Sequence, residues 1–261
     1  MTQHFERSAG LAALPSLQHG FFCRKGGCSL GDYAENNMST STGDELEAVE
    51  VNRTGAAEAL GFQRNQLFLL KQVHSSTVHR LVQPPRQDIV IEADAVVTQL
   101  PLTALGILTA DCTPILLADA QASVIGAVHA GWRGAVDGII ANTVTAMVEL
   151  GADPERIVAA IGPTISAENY EVGPHFMDDF VQLRPDGWRH FSTHNSGRAH
   201  FDLPGFVAAE LARAGVKQVD RTGGCTYGQP DRYFSHRRAT HAGGTTGRQI
   251  AIIGKIQDQR P

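Results

Sequence analysis

Five apolar runs between residues 66 and 129 constrain the fold of this 261-residue chain more than any other feature of its sequence. Each run is rich in Val, Ile and Leu, a composition typical of β-strands. Five such runs in about sixty residues predict a central sheet. The runs are Gln66–His74, Ile89–Thr98, Thr103–Thr109, Pro114–Ala118 and Ser123–His129.

Helical patterns alternate with further strand patterns in the rest of the chain. From Gly134 to Leu150 apolar residues recur at helical spacing, and Gly151 ends the pattern as a C-terminal cap would. The mixture predicts an α/β or α+β fold, with a central mixed sheet flanked by helices. Because no repeat or linker divides the chain, we expect a single domain over residues 1–261. The other predicted helices are Asp44–Leu60, Pro174–Leu183 and Pro204–Ala214, and the other predicted strands are Arg156–Ile161, Gln218–Thr222 and Gln249–Ile256.

The composition disfavours some classes of binding partner and indicates a cellular compartment. The chain carries a net charge of -5 with 42% hydrophobic residues, which gives no electrostatic reason to expect nucleic acid or an anionic membrane as a partner. Its most apolar region, residues 105–118, is too short for a membrane helix of about 20 residues, and we recognise no signal peptide. Four cysteines without a C-x-x-C pair favour a reducing cytoplasm over a disulfide scaffold. No apolar stripe is left over after the core is assigned, which favours a monomer.

Three of the strand-like runs lead into side chains that bind metals or act as nucleophiles. His74 lies in QVHSS, Cys112 in TADCTP and His129 in AVHAGWRGA. Strand ends in mixed α/β proteins project side chains into a shared crevice, and two imidazoles with one thiolate would bind Zn²⁺ and leave a fourth position open. The spacing matches no compact zinc motif. A core cysteine, a hydrogen-bonded core histidine and a surface histidine therefore stay open as the alternative interpretation.

One carboxylate and several cations lie near these segments. Asp111 interrupts an apolar run, where burying a carboxylate costs free energy unless it has partners. We therefore expect it to orient an imidazole, to carry a proton or to cap the TADCTP turn. Arg133 in GWRG precedes a helix and suits a phosphate there, although a surface salt bridge explains it equally. Arg24 and Arg248 stand among glycines, where a backbone can approach a ligand. We interpret the basic run His236–Arg238 as a solvated loop rather than a site.

Several of these segments together resemble one known family. The chain is similar, from about residue 19 to residue 254, to the multicopper polyphenol oxidoreductases or laccase-like proteins. That family is now described as purine nucleoside phosphorylases with adenosine deaminase activity and, in bacteria, also as a peptidoglycan-editing factor. TADC followed by HAGWRG is the most specific part of the match. The matching segments include HGFFCRKGG, LLKQVH, ADAVVT, TADCTPILLAD, AVHAGWRGAVDGII, IGPTIS, GGCTY, FSHRR and TTGR.

The resemblance implies an α/β sandwich of the cysteine-hydrolase type, with zinc held by His74, Cys112 and His129. It also implies phosphorolysis of adenosine, inosine, guanosine and methylthioadenosine, with deamination of adenosine. Other members are similar but act as amidases that remove a misplaced L-serine from a cell-wall precursor. The chain departs from the family at Thr164, where cysteine is common, and at Ser75, where glycine is usual.

The residues allow these mechanisms to be weighed. Blue-copper oxidases need several H-x-H pairs, and this sequence has none, so we expect zinc rather than copper. Deamination would use a metal-activated water with Asp111 as proton carrier. Phosphorolysis would use Arg24, Arg133 and Arg248 to hold phosphate. A thiol amidase with Cys112 activated by His129 would need no metal, and a non-catalytic binding protein would turn over neither substrate.

Overall fold

The computed structural model describes residues 2–86, 89–193 and 197–256. Two mixed sheets stack face to face in it. The six-stranded sheet has the strand order β12-β9-β7-β8-β5-β4, the five-stranded sheet has the order β1-β2-β13-β6-β3, and β10 pairs with β11 separately. The strands are β1 Phe5–Glu6, β2 Leu17–Phe22, β3 Leu67–Leu69, β4 Val78–Leu81, β5 Ala95–Thr98, β6 Thr103–Thr109, β7 Thr113–Asp119, β8 Val124–Ala130, β9 Val158–Ile161, β10 Phe191–Thr193, β11 Ala199–Phe201, β12 Gln218–Arg221 and β13 Gln249–Lys255.

Helices cover the outer faces of both sheets. Residues of α3 to α6 pack against the six-stranded sheet, and residues of α2 pack against the five-stranded sheet. Among the described residues, no helix is both long and apolar enough to cross a membrane. The helices are α1 Ala9–Ala12, α2 Leu46–Ala59, α3 Trp132–Val136, α4 Ile139–Glu149, α5 Phe176–Leu183, α6 Leu203–Arg213 and α7 His236–Ala242.

Alternation along the central strands separates the layers of the core. In β8, Ile125 and Ala127 point between the two sheets, whereas Val124 and Val128 point toward the helices. A strand turns successive side chains to opposite faces, so a strand that is buried on both faces is apolar throughout. This explains why β6, β7 and β8 read as continuous apolar runs.

The predicted mixed α/β class is confirmed, and the structure refines it. The strands divide between two stacked sheets instead of forming one central sheet. The predicted helix from Gly134 to Leu150 is two helices, because Gly138 adopts the left-handed φ of 93° between α3 and α4. The run His236–Arg238 is not a loop, since it forms the first turn of α7.

Candidate active site

Strand pairing brings the three predicted strand ends to one place. β3 runs parallel to β6, so the chain leaves both strands on the same side, toward His74 and Cys112. Cys112 lies where the chain crosses from β6 to β7, between the two sheets. β7 and β8 are antiparallel, and Pro114 pairs with His129, so the end of β8 returns to the start of β7.

The three side chains form a compact cluster. The ligand atoms of His74, Cys112 and His129 all lie within 4.8 Å of one another. The Sγ atom of Cys112 is 3.9 Å from Nε2 of His74, and the two imidazole rings meet nearly edge to face with centroids 4.8 Å apart. The structure therefore assembles, from separate strands, the three residues that the sequence singled out.

Electrostatics favours the ionised thiol in this cluster. Burial raises the pKa of Cys112, but the nearby charge of His129 and hydrogen bonds from both histidines outweigh it and lower the pKa overall. Burial lowers the pKa of His129, but attraction to the thiolate and the hydrogen bond to Asp94 raise it overall. A thiolate is the form of cysteine that binds metals or attacks carbon, so the cluster is prepared for either chemistry.

The donor set fits a metal ion of borderline softness. Imidazole nitrogen and thiolate are both ligands of catalytic zinc sites, in which three protein ligands leave a fourth position for water or substrate. The half-buried Cys112 and the exposed His74 leave one side of the cluster open to solvent, while His129 is buried. The geometry defines a candidate metal site and does not by itself choose between zinc and copper.

Asp94 is a buried residue beside the cluster that sequence reasoning did not single out. It directly precedes β5, is fully buried, and accepts a 2.8 Å hydrogen bond from Nδ1 of His129. Its carboxylate also accepts hydrogen bonds from the backbone beside His74. The sequence does contain a feature that could have indicated Asp94, because this carboxylate interrupts an apolar stretch in ADAVVT just as Asp111 does in TADCTP.

Asp111 has partners that lie away from the cluster. It adopts a left-handed φ of 91°, and its carboxylate accepts 2.6 Å hydrogen bonds from the hydroxyl of Thr226 and the backbone N–H of Arg237. These bonds tie the turn before Cys112 to the start of α7. The proposed proton-carrier role of Asp111 stays a prediction, and the contacts give the residue a structural role.

Thr164 and Ser75, the two residues at which the chain departs from the family pattern, both form side-chain hydrogen bonds. The hydroxyl of Thr164 donates to the backbone carbonyl of Asp111 at 2.8 Å and lies 2.9 Å from the hydroxyl of Thr113, so it supports both sides of Cys112. The hydroxyl of Ser75 donates to Asp94 at 2.8 Å. Both side chains therefore brace the cluster.

A cavity of about 650 Å³ opens onto the cluster. This volume lies within the range of about 300–1,000 Å³ that is common for small-molecule sites. Its wall combines apolar side chains with cations from several elements. The lining includes His74, Cys112, His129, Arg53, Arg64, Lys71, Arg86, His236, Arg248, Phe68, Leu69 and Leu70.

Of the three predicted phosphate ligands, the structure brings only Arg248 to this cavity. The Arg24 guanidinium donates to the carbonyls of Ala34 and Pro230 and stacks over the Phe234 ring, which are the contacts of a structural residue. Arg133 lies over the Trp132 ring and lines a separate groove. Glycines beside an arginine allow the backbone to approach a ligand, but they do not determine where the arginine side chain points.

A helix–sheet–sheet–helix sandwich with a His–Cys–His cluster at a cavity defines the structural class. The chain belongs to the multi-copper polyphenol oxidoreductase laccase family, whose model matches residues 18–255. A relative from Deinococcus radiodurans, named purine nucleoside phosphorylase, is 43% identical over 239 residues, covering 92% of this chain and 89% of the relative. A Corynebacterium glutamicum relative named purine nucleoside phosphorylase is 38% identical over 234 residues, covering 89% and 92%.

Solved structures show the same fold. A Neisseria meningitidis protein of the family DUF152 superposes with a TM-score of 0.85 and 31% identity, covering 98% of this chain and 100% of that one. YlmD from Geobacillus stearothermophilus superposes with a TM-score of 0.86 and 27% identity, again covering 98% and 100%. The family resemblance inferred from TADC and HAGWRG is thereby confirmed.

Proposed function

We propose that this protein is a zinc-dependent purine nucleoside phosphorylase that also deaminates adenosine. The observation that carries the proposal is the His74, Cys112 and His129 cluster on the wall of a cavity that also presents Arg248. The names of the relatives support a purine nucleoside substrate. All four cysteines are free thiols, which suits a reaction in the reducing cytoplasm.

Phosphorolysis is a displacement at the sugar. An oxygen of phosphate attacks the anomeric carbon of the ribose while the glycosidic C–N bond breaks, and the electron pair of that bond stays with the base. The departing purine takes up the proton that the phosphate gives up, so the products are ribose 1-phosphate and the free purine. The guanidiniums of Arg248 and Arg53 line the cavity and would position the phosphate, and Arg53 also pairs with Glu50 at 3.0 Å. Both guanidiniums already donate to backbone carbonyls, which fixes their orientation.

The metal ligands contribute to both reactions. A zinc ion bound by His74, Cys112 and His129 would supply Lewis acidity and lower the pKa of a water molecule to about 7. In deamination the oxygen of water adds at C6 of the purine, the exocyclic C–N bond breaks and ammonia leaves, so adenosine becomes inosine. Apolar residues such as Phe68 and Leu70 on the same wall would pack against the purine.

The test follows the products of adenosine by chromatography, with and without phosphate. We expect adenine and ribose 1-phosphate only when phosphate is present, and inosine in either case. Cys112→Ala should lose both activities, whereas Cys28→Ala should keep them, because Cys28 is a free thiol whose contact is the carbonyl of Ala48. Zinc-loaded wild-type protein that forms neither adenine nor inosine would refute the proposal.

A second candidate is a thiol amidase acting on a serine-containing cell-wall precursor. The specific observation in its favour is the order Cys112, His129, Asp94, in which a buried carboxylate orients the imidazole beside a thiol of lowered pKa. The Sγ atom of Cys112 would attack the amide carbonyl carbon. The C–N bond would break as His129 protonates the departing amine, and water would then hydrolyse the thioester.

Metal dependence separates the two candidates. Release of L-serine from the precursor by metal-free protein, blocked when iodoacetamide alkylates Cys112, would establish the amidase. Loss of all activity on zinc removal, with recovery on zinc addition, would favour the phosphorylase. Cys28→Ala again serves as the matched control, since it leaves Cys112 as the thiol in the cluster.

A further inference from the structure

One buried carboxylate contacts the segments of both histidine ligands. Asp94 is 0% exposed. Its Oδ1 atom accepts from Nδ1 of His129 at 2.8 Å and from the backbone N–H of His74 at 3.0 Å. Its Oδ2 atom accepts from the backbone N–H groups of Val73 and Ser75 and from the Ser75 hydroxyl. Five hydrogen-bond donors thus contact one carboxylate, a group that can only accept hydrogen bonds.

We propose that Asp94 is the positioning residue of the metal cluster, setting the tautomer of His129 and the backbone of His74 at the same time. The inference rests on the proposed function only in that a metal ion binds at the cluster. Partners behind the metal ligands commonly set affinity, and their loss typically costs about 10–100-fold. The family resemblance and the comparisons assign no role to Asp94.

The contact between Asp94 and His129 sets the tautomer of the imidazole. A carboxylate can only accept, so the proton of a neutral His129 ring is held on Nδ1 and the lone pair of Nε2 is left free. Nε2 is then the His129 atom available to a metal ion. The position of Asp94 is itself fixed, because its backbone carbonyl accepts the His129 N–H at 2.7 Å and its own N–H donates to Thr77.

Asp94 also contacts the loop that carries His74. His74 has a φ of 60°, in the left-handed region that few residues other than glycine adopt. Three consecutive backbone N–H groups, of residues 73 to 75, point at the Asp94 carboxylate, which holds this conformation. On the other side the Gln72 amide bonds the N–H and carbonyl of Leu108 at 2.8 and 2.7 Å. The loop is thus clamped between β5 and β6.

The decisive variant is Asp94→Asn, which keeps the size of the side chain. Its amide N–H₂ would face either the Ser75 donors or Nδ1 of His129. In the second case His129 must shift its proton to Nε2, which removes the lone pair from the metal site. We expect the dissociation constant for zinc, measured by competition with a chromophoric chelator, to rise about 10–100-fold.

Asp119→Asn is the matched control for a purely structural effect. Asp119 is 1% exposed and accepts from the backbone N–H groups of Gln121, Ala122 and Asp153 and from Arg156, but it lies at the far end of β7. We expect Asp119→Asn to lose stability and to keep wild-type zinc affinity. Folded Asp94→Asn with zinc affinity within twofold of wild type would overturn the inference.

A second measurement needs no Asp94 variant. In zinc-loaded wild-type protein labelled with ¹⁵N-histidine, the NMR spectrum should show His129 ligated through Nε2 and protonated on Nδ1, with His129→Gln assigning the signal. Ligation through Nδ1 would overturn the inference even if Asp94→Asn failed to fold. Wild-type protein that binds no zinc would refute the proposed function as well, so the two failures can be told apart.

Discussion

Gly131 shows how closely the backbone approaches the cluster. A Cβ atom built on this residue would lie 3.2 Å from Sγ of Cys112 and 3.0 Å from Cδ2 of His74. Its φ of -73° is open to any residue, so the requirement for glycine comes from space and not from backbone conformation. The missing side chain leaves room beside the ligands at the start of α3.

We therefore expect Gly131→Ala to lower the affinity for a metal ion more than it lowers the stability of the fold. The added methyl group pushes His74 or Cys112 by a few tenths of an ångström, which disturbs the ligand geometry. We expect a clear rise in the zinc dissociation constant by chelator competition. Gly173→Ala is the matched control, because a Cβ there meets no atom within 4 Å. Equal zinc affinity in the two variants would show that the cluster tolerates the methyl group.

The arginines divide by where their guanidiniums lie. Burial lowers the pKa of Arg248, yet the residue stays charged at neutral pH because the ordinary pKa of arginine lies far above neutrality, so the cavity holds a desolvated cation. Arg133 instead stacks on Trp132 beside another groove. Only a desolvated, correctly placed cation attracts phosphate strongly enough to change the rate of turnover.

Steady-state kinetics with phosphate as the varied substrate should separate these two arginines. We expect Arg248→Ala to raise the KM for phosphate about tenfold or more, since a charge-assisted contact is worth about 1.5–3 kcal/mol. Arg133→Ala should leave both KM and kcat close to wild type. A phosphate KM that rises in Arg133→Ala but not in Arg248→Ala would contradict the cavity as the phosphate site.

At the scale of elements, a polar network holds the short helix α1 between the two sheets. Ser8 caps α1, its backbone N–H donates to Nε2 of His19 in β2 at 2.9 Å, and its hydroxyl donates to Asp220 in β12 at 2.6 Å. Asp220 also accepts from the N–H of Gly10. The network connects one strand of each sheet through the short helix between them.

This network makes stability depend on pH. Burial, with a smaller effect from Arg7, lowers the pKa of His19 from 6.5 to about 4. The unfolded chain binds the proton first, so stability falls as pH drops from 6.5 toward 4. Urea unfolding of wild type should lose about 2 kcal/mol from this residue between pH 7 and pH 5. In His19→Asn this part of the loss should vanish, and an unchanged pH slope would contradict the assignment.

The elements that the sequence predicted well are those with a strong local pattern. The predicted strand Thr103–Thr109 has the observed bounds of β6, because burial on both faces makes the whole strand apolar. Helix α7 has no buried residue, so it carries no apolar periodicity. The hydroxyl of Ser235 and the carboxylate of Asp111 hold its first turn instead. The contact with Asp111 spans 126 positions, and a contact of that range is invisible to a pattern read along the chain.

The same distinction applies within the site. His74, Cys112 and His129 could be predicted because each lies at the end of an apolar run, which is a local feature. Asp94 acts on residues about 20 and 35 positions away, and only the pairing of β5 with β8 brings it there. Arg53 lies in the predicted helix α2, and nothing in its sequence neighbourhood indicates that it lines the cavity.

At the scale of the whole molecule, the cluster joins the two sheets. His74 follows β3 of the five-stranded sheet, Cys112 connects the sheets between β6 and β7, and His129 belongs to β8 of the six-stranded sheet. Cations line the cavity of a chain whose net charge is -5. Glu50 pairs with Arg53 and Arg64, and Glu92 pairs with Lys71. Arg248 adds a further cation beside the cluster, which would draw an anion such as phosphate.

A metal ion that bridges both sheets should stabilise the whole fold, because ligands from separate strands come together only in the folded chain. At a zinc concentration about 1,000 times the dissociation constant, the gain is about 4 kcal/mol, which corresponds to a rise in Tm of about 8 °C or more for a protein of this size. Calorimetry should show this rise in wild type and in Cys28→Ala, but not in Cys112→Ala. A Tm that does not respond to zinc in wild type would favour the metal-free thiol mechanism over the zinc-dependent one.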